Sequence, residues 1–394
     1  MKKIIESANL LQNELVAIRR KIHACPEVGA SLPETKRFVM KKLREFGYEP
    51  KEICESGIVA TISGNQHGKT IMLRADMDAL SIKEESGLAF SSCNDNMHAC
   101  GHDMHTTMLL GAAKLLKQYQ SLIKGRVKLV FQPDEEGFTG AKEMMKAGVL
   151  ENPKVDAGMA FHVHSSTPTG MILCGKGTCM ASCNLFRIQV KGTGCHGAMP
   201  ETGVDPINIA THIYLSLQEI IAREISAMKS ATLTIGKFSG GTAPNIIPEE
   251  VVLEGTIRSL DKDLSEYIFQ RITEISKQTA AMFRGDVEVV EIASAPPLYN
   301  NEAMVDRISN YLKEVIDPRK VIVYEGGGMG SEDFSSFTYE IPCCYLLLGA
   351  GSSNENELYG KPMHNDHVVF NEDILSYGSA LFVISALRWL NEQE

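Results

Sequence analysis

Apolar residues recur at helical spacing over residues 5 to 24 and again after Pro33, and β-type runs follow at GIVATIS (57–63) and KTIMLRAD (69–76). The alternation then repeats. Met108, Leu109, Ala112, Leu115 and Leu116 share a helical face, RVKLVFQ (126–132) ends at Pro133, and VDAGMAFHVH (155–164) is almost wholly apolar until its two histidines. Strands of that kind are buried on both faces, so this part of the chain predicts an α/β fold built on a mixed sheet.

From about residue 183 the pattern changes. LFRIQVKG, ATLTIGKFSG, VVLEGTIRSL and VEVVEIAS alternate apolar and polar positions, as strands with one wetted face do, and helical stretches at about 205–223 and 262–283 separate them. Four such strands and two helices make a compact α+β unit with an antiparallel sheet. After Pro296-Pro297 the α/β style returns with a helix over 302–315, the strands RKVIVYE and CCYLLLGA, and a last helix from about Asp373. The expected organisation is a larger domain of residues 1–183 and 297–394 with a smaller one, 184–296, inserted.

Composition narrows the class. The 394 residues are 44% hydrophobic and 22% charged, an ordinary globular balance with length for two domains. A net charge of -10 without a clustered basic surface argues against a nucleic-acid partner. The N-terminus MKKIIESANLLQNELVAIRRK interrupts its apolar residues with Glu, Asn, Gln and Arg, unlike a signal peptide, and no later stretch is expected to reach the roughly 20 apolar residues of a membrane span. The expectation is a cytoplasmic protein with no membrane partner, whose ten cysteines are by default buried free thiols.

The candidate chemistry sits at strand ends. In MHACGHDMHT (97–106), Cys100 and His102 are two apart and can face one side of an extended segment, while His105 falls on the first turn of a helix that Asp103 can cap. Cysteine and histidine suit Zn, Ni and related ions, but a nucleophilic Cys100 with a histidine base, or a satisfied core histidine beside a buried thiol, fits the stretch equally. QPDEEG delivers Asp134, Glu135 and Glu136 after a strand. Metal-assisted hydrolysis needs one carboxylate on the metal and another that accepts a proton from water, and adjacent glutamates can point apart to fill both roles. His162 and His164 end another strand, and YGKPMHNDH (359–367) brings His364 and His367 in a polar loop. Each alone reads as ordinary loop or core chemistry. Four strand ends together are accounted for by a two-metal hydrolytic centre.

In order along nearly the whole chain, MHACGHDMHT, QPDEEG, FHV, GTGCHGAMP…GVDPINIA, GGTAPNIIPEEVVLEGTIRSLD and MGSEDFSSF resemble the dinuclear-metal amidohydrolases. That family includes hippurate hydrolase, N-acetyl-diaminopimelate deacetylase, bacterial N-acyl-amino-acid deacylases and plant auxin-conjugate hydrolases. The resemblance implies metal ligands Cys100, His102, Glu136, His162 and His364, and Glu135 as general base. It further implies that about 184–296 is a lid and dimerisation domain, that His196 holds the substrate carbonyl or oxyanion, within its own subunit or across a homodimer, and that Asn245 and Arg258 bind the substrate carboxylate. His105 is then a supporting residue behind the ligands, and Asp78 in RADMDAL an orienter of a metal ligand. Two positions depart from the family pattern: Glu201 stands where a histidine is often found, and MHNDHVVFNED carries a differently arranged acidic segment.

The implied activity is hydrolysis of the amide in an N-acyl amino acid or small conjugate, using two divalent ions, Zn or Mn first and Ni or Co next. A dipeptidase or carboxypeptidase acting on free-amine peptides is the alternative, followed by a non-catalytic metal- or ligand-binding relative, which would have no use for a spare base beside Glu136.

Overall fold

The computed structural model of the chain describes residues 1–392. It has two compact units, one made of Met1–Gly177, Tyr299–Gly326 and the chain from Asp333 onward, the other of Thr178–Leu298 and Gly327–Glu332. The second unit therefore starts earlier than the expected residue 184 and takes in a short later segment. Backbone bonds explain both: Ala181 N–H donates to Gly328 O (3.1 Å) and Gly330 O (2.8 Å), and Ser182 N–H to Ser259 O (2.7 Å).

The first unit opens with α1 (Lys2–Asn9), α2 (Gln12–His23) and α3 (Pro33–Glu45), then β1 (Lys51–Glu52), β2 (Ile58–Ser63), β3 (Gln66–Asp76), α4 (His102–Gln118), β4 (Lys124–Gln132), α5 (Gly140–Lys146), β5 (Ala157–His164) and β6 (Ile172–Met180). The single helix expected over 5–24 is two, because Leu11 N–H closes on Ala8 O at 2.8 Å in a tighter turn that resets the axis. β6 went unassigned in the sequence because ILCGKGTCM carries two glycines and no clean alternation.

The second unit comprises β7 (Cys183–Lys191), β8 (Cys195–His196), α6 (Pro206–Glu219), β9 (Ala231–Gly240), β10 (Ile246–Ile247), β11 (Glu250–Ser259), α7 (Lys262–Met282) and β12 (Asp286–Ala295). Its four-stranded antiparallel sheet has the order β12-β7-β11-β9. Ile188, Val190, Val251 and Leu253 meet Ile209, Ile213 and Leu217 of α6 and Ile268 and Ile272 of α7 in its core. Both helices start on capped turns: Asp205 accepts from the N–H groups of Ile207 and Asn208, and Asp261 from that of Leu264.

The chain continues through β13 (Leu298–Asn300), α8 (Glu302–Lys313), β14 (Val321–Glu325), α9 (Ser335–Thr338), β15 (Cys343–Gly349) and α10 (Ile374–Asn391). The large mixed sheet runs β1-β2-β4-β3-β5-β15-β6-β13, with β14 paired to β6. At its centre β4, β3, β5 and β15 are neighbours and all parallel, so their carboxyl ends share one edge. Helices α4 and α10 pack on each other and on this sheet. By length and composition α10 could cross a membrane, contrary to the sequence expectation, yet 78% of it is buried in the core.

Candidate metal centre

Each of the four parallel strands hands a chemical group to the shared edge. β3 ends at Asp76 and leads to Asp78, β4 leads to Glu135 and Glu136, β5 carries His162, and the loop beyond β15 brings His364. Cys100 and His102 arrive at the start of α4. They do not lie along an extended segment, as their spacing suggested, but straddle a tight turn at Gly101, whose φ of 86° favours glycine. A Cβ there would also come within 2.3 Å of Val163 Cγ2, so the turn can press against the end of β5 only because residue 101 has no side chain. Gly101 is the N-cap. Asp103, expected to cap the helix, instead accepts from Arg19 Nε at 2.7 Å and His23 Nδ1 at 2.8 Å.

The implied ligand atoms converge. Cys100 Sγ lies 3.5 Å from His162 Nε2 and 3.4 Å from His364 Nε2, which in turn is 3.4 Å from Glu136 Oε1. His102 Nε2 is 3.8 Å from Glu135 Oε2 and 3.9 Å from Glu136 Oε1. Three overlapping groups result, Cys100–His102–His162, Cys100–Glu136–His364 and His102–Glu135–Glu136, each with donor atoms within 4.8 Å of one another. His102 Nε2 and Glu136 Oε1 are buried and make no hydrogen bond. Two such atoms facing one another would be costly in a finished core, and a cation between donors of this kind removes the cost. His364 holds its place with a φ of 64°, a conformation retained only where surroundings enforce it.

The neighbours set the direction of each ring. His102 Nδ1 donates to Asp78 O at 2.9 Å and lies 3.3 Å from Asp78 Oδ1, leaving Nε2 for the centre. His162 likewise spends Nδ1 on Val163 O at 2.6 Å. Rings tied back through one nitrogen are how metal-binding histidines are oriented. His105 has both nitrogens engaged, Nδ1 donating to Asp76 Oδ1 at 2.6 Å and Nε2 accepting from Val163 N–H at 2.9 Å, so it braces the end of β5 and has no nitrogen to spare. His164 turns to Thr167 Oγ1 at 2.8 Å, and His367 groups with Glu85 and Asp366 instead.

A second layer of the site escaped the sequence reading. Arg74 donates to Asp76 Oδ2 (2.6 Å) and Gln132 Oε1 (2.9 Å), Gln132 donates to Asp333 Oδ2 (2.8 Å), and Asp333 N–H donates to Glu135 Oε1 (3.1 Å). Glu135 Oε1 is thus anchored by this relay, and Oε2 lies 3.8 Å from His102 Nε2. The available signal was RAD at the end of β3: charges two apart on a strand buried on both faces must find buried partners.

This crowd of carboxylates sets the local protonation. Burial opposes a charged His102, but Asp76, Asp78 and Glu136 outweigh it and lift its pKa to about 10. Burial, reinforced by Glu136 and Glu135, pushes the Cys100 thiol well above its ordinary range. The pocket is built for positive charge.

The sequence pattern of peptidase family M20/M25/M40 matches residues 72–387. The chain belongs to that family. It is 34% identical to N-acetyl-L-cysteine deacetylase of Bacillus subtilis, over 98% of this chain and 90% of the relative. It is also 34% identical to thermostable carboxypeptidase 2 of Saccharolobus solfataricus, over 100% and 99%. A solved B. subtilis structure described as a dinuclear metal binding peptidase from the M20 family superposes with a TM-score of 0.78 at 28% identity, over 97% of this chain and 99% of that one.

The remaining implied residues of this M20/M25/M40 chain lie in the second unit. β8 and β10 pair His196 with Ile246, and Gly197 N–H donates to Asn245 O at 2.8 Å, so His196 and Asn245 are neighbours, both exposed. Ala198 N–H donates to His196 Nδ1 at 3.1 Å, which leaves Nε2 as the protonated nitrogen of the neutral ring. Arg258, on β11, donates to Ser331 Oγ, and that hydroxyl donates to Ser182 O at 3.0 Å.

Proposed function

We propose that the protein hydrolyses the amide bond of N-acyl L-amino acids or small amino-acid conjugates at a centre of two divalent cations held by Cys100, His102, Glu136, His162 and His364. The observation that carries this reading is the convergence of those five side chains, two of them with buried unbonded donor atoms, beside a Glu135 whose Oε1 is held by the Asp333 N–H and whose Oε2 lies 3.8 Å from His102 Nε2. When bound, the cations supply Lewis-acid polarisation and a lowered pKa for water. Glu135 Oε2 takes the proton of the attacking water and passes it to the leaving amine nitrogen. His196 Nε2–H donates to the oxyanion, and Asn245 and Arg258 hold the substrate carboxylate. Asp78 and His105 keep the ligands aligned.

A thiolate ligand favours Zn or Ni, while the His and carboxylate majority also accepts Mn or Co. We read residues 184–296 as lid and dimerisation domain. Exposed Leu215 and Phe238, the latter on edge strand β9, support a homodimer through this unit, and sedimentation of the purified chain tests it. The reading includes a cytoplasmic location.

The similarity to a carboxypeptidase keeps a second reading in play, cleavage of peptides with a free amine. A hydrolysis screen of N-acetyl, N-benzoyl and aliphatic N-acyl amino acids beside the matching free-amine dipeptides, with each metal restored in turn, separates the two. Turnover of acylated substrates alone supports the first; preference for the dipeptides overturns it.

A further inference from the structure

Away from the metal centre two other thiols face each other. Cys25, just after α2, and the exposed Cys93, in the segment between β3 and α4, place their sulfurs 3.5 Å apart. The backbone holds them there: Cys93 N–H donates to Ala24 O at 3.0 Å, and the side-chain amides of Asn94 and Asn96 donate to Pro26 O at 3.0 and 3.4 Å. Cys25 also lines a cavity of about 300 Å³ whose wall carries Lys21, Arg37 and Lys41 with Glu34, which is paired with Arg37, while Lys41 lies 3.9 Å from Glu45, so the lining itself keeps a net positive charge. By contrast Cys174, Cys179, Cys183, Cys343 and Cys344 are buried.

We propose that Cys25 and Cys93 form a reversible thiol–disulfide exchange site for an anionic low-molecular-weight disulfide, whose carboxylates the cationic wall attracts. Closing the bond requires the sulfurs to approach to about 2.05 Å, a short travel from their present separation. The accessible Cys93 attacks first. Its thiolate bonds to one sulfur of the small disulfide, whose S–S bond breaks and whose other half leaves as a thiolate that takes up the proton Cys93 released. Cys25 then attacks Cys93 Sγ, expelling the second half as a thiol with the proton of Cys25. Two protein thiols are oxidised and one small disulfide is reduced to two thiols, so no further oxidant is needed. The resulting bond would tie the end of α2 to the segment that runs on to Cys100.

The test is to equilibrate the metal-loaded chain with mixtures of reduced and oxidised glutathione, alkylate free thiols, digest without reductant and read the peptides by mass spectrometry. A linked Cys25–Cys93 peptide pair should appear and vanish again with excess reduced glutathione, and Cys25→Ser should trap glutathione on Cys93. Oxidised glutathione should react several-fold faster than the cationic disulfide cystamine, and Lys21→Glu with Arg37→Glu should erase that advantage. A persistent glutathione adduct on Cys93 of the unaltered chain, or alkylation of both thiols throughout the series, overturns the site. Equal rates for the two disulfides overturn the anionic class of the reagent.

Discussion

His102 and Asp103 are consecutive, both fully buried, and open the same helix, yet they face opposite kinds of polar cluster. Around Asp103 the protein supplies its own cations: Arg19 and His23 bind its Oδ2, Glu84 lies 3.2 Å from His23, and Glu372 lies 3.2 Å from Arg19. Around His102 the carboxylates of Asp76, Asp78, Glu135 and Glu136 gather with the Cys100 thiol, and Arg74 donates to Asp76. One cluster is electrically complete as folded. On the proposed reading the other is completed by bound cations, which is the difference expected between a structural ion network and a catalytic one.

The largest effect is expected at Glu135. Glu135→Ala should lower kcat on N-acyl amino acids by about 10²–10⁴-fold, the usual contribution of a positioned proton acceptor. Elemental analysis should find the metal content unchanged, because Glu135 is assigned no ligand role. Activity within a few-fold of the parent would remove it from the mechanism.

On the other side of the helix, Asp103→Ala leaves Arg19 and His23 facing each other without their shared anion. Loss of one member of a buried pair typically costs about 3–5 kcal/mol, and Glu372 keeps the expected value near the lower end. Urea unfolding should show the same loss with metal bound and after chelation. A loss that disappears on chelation would mean the two clusters are one network.

A smaller effect sharpens the link between Asp78 and the centre. Asp78 Oδ2 accepts from Glu136 N–H at 3.1 Å while Oδ1 sits beside His102 Nδ1, so it touches two implied ligands at once. Asp78→Asn should weaken metal binding by about 10–100-fold in a calorimetric titration, the range seen for outer-shell partners. Unchanged affinity would reduce Asp78 to a strand-end residue.

The contrast also explains what could be read from the chain beforehand. Strands buried on both faces announce themselves as apolar runs, and the alternating strands of the second unit do so by their period, so both sheets were legible. His, Cys and Glu at strand ends were legible too, because such residues interrupt apolar runs at the edge where α/β sheets bind ligands. The Asp103 cluster was not. Its partners Arg19 and His23 lie 84 and 80 residues away on α2, where a pattern of RRK reads as a wet helix face, and Arg19 proves to be only 1% exposed. Long-range pairing of ordinary charges leaves no local trace, and without it Asp103 beside a helix start looks like a cap. The Arg74–Gln132–Asp333 relay was hidden for the same reason.

The smallest expected effect is a pH dependence confined to the complete cluster. Burial works against a charged Glu84, but His23, the Ser86 hydroxyl and the Ser92 N–H outweigh it and hold its pKa down at about 2, below the ordinary 4.5. A carboxylate with a depressed folded pKa contributes stability above its unfolded value and loses it as pH falls through the folded one. For His23 burial again opposes charge, and Asp103 and Glu84 prevail, raising the pKa above 6.5. A raised pKa works in the other sense: its contribution is full below 6.5 and fades as pH rises through the folded value. The Glu84–His23 pair should therefore be strongest between pH 4.5 and 6.5. Comparing urea midpoints of the metal-free parent and Glu84→Gln across pH removes the titrations the two proteins share. The parent's advantage should be widest in that window, shrink toward about pH 2 and narrow again at alkaline pH. A difference that stays constant from acid to base would mean that Glu84 packs against His23 without the charge on which the completeness of this cluster depends.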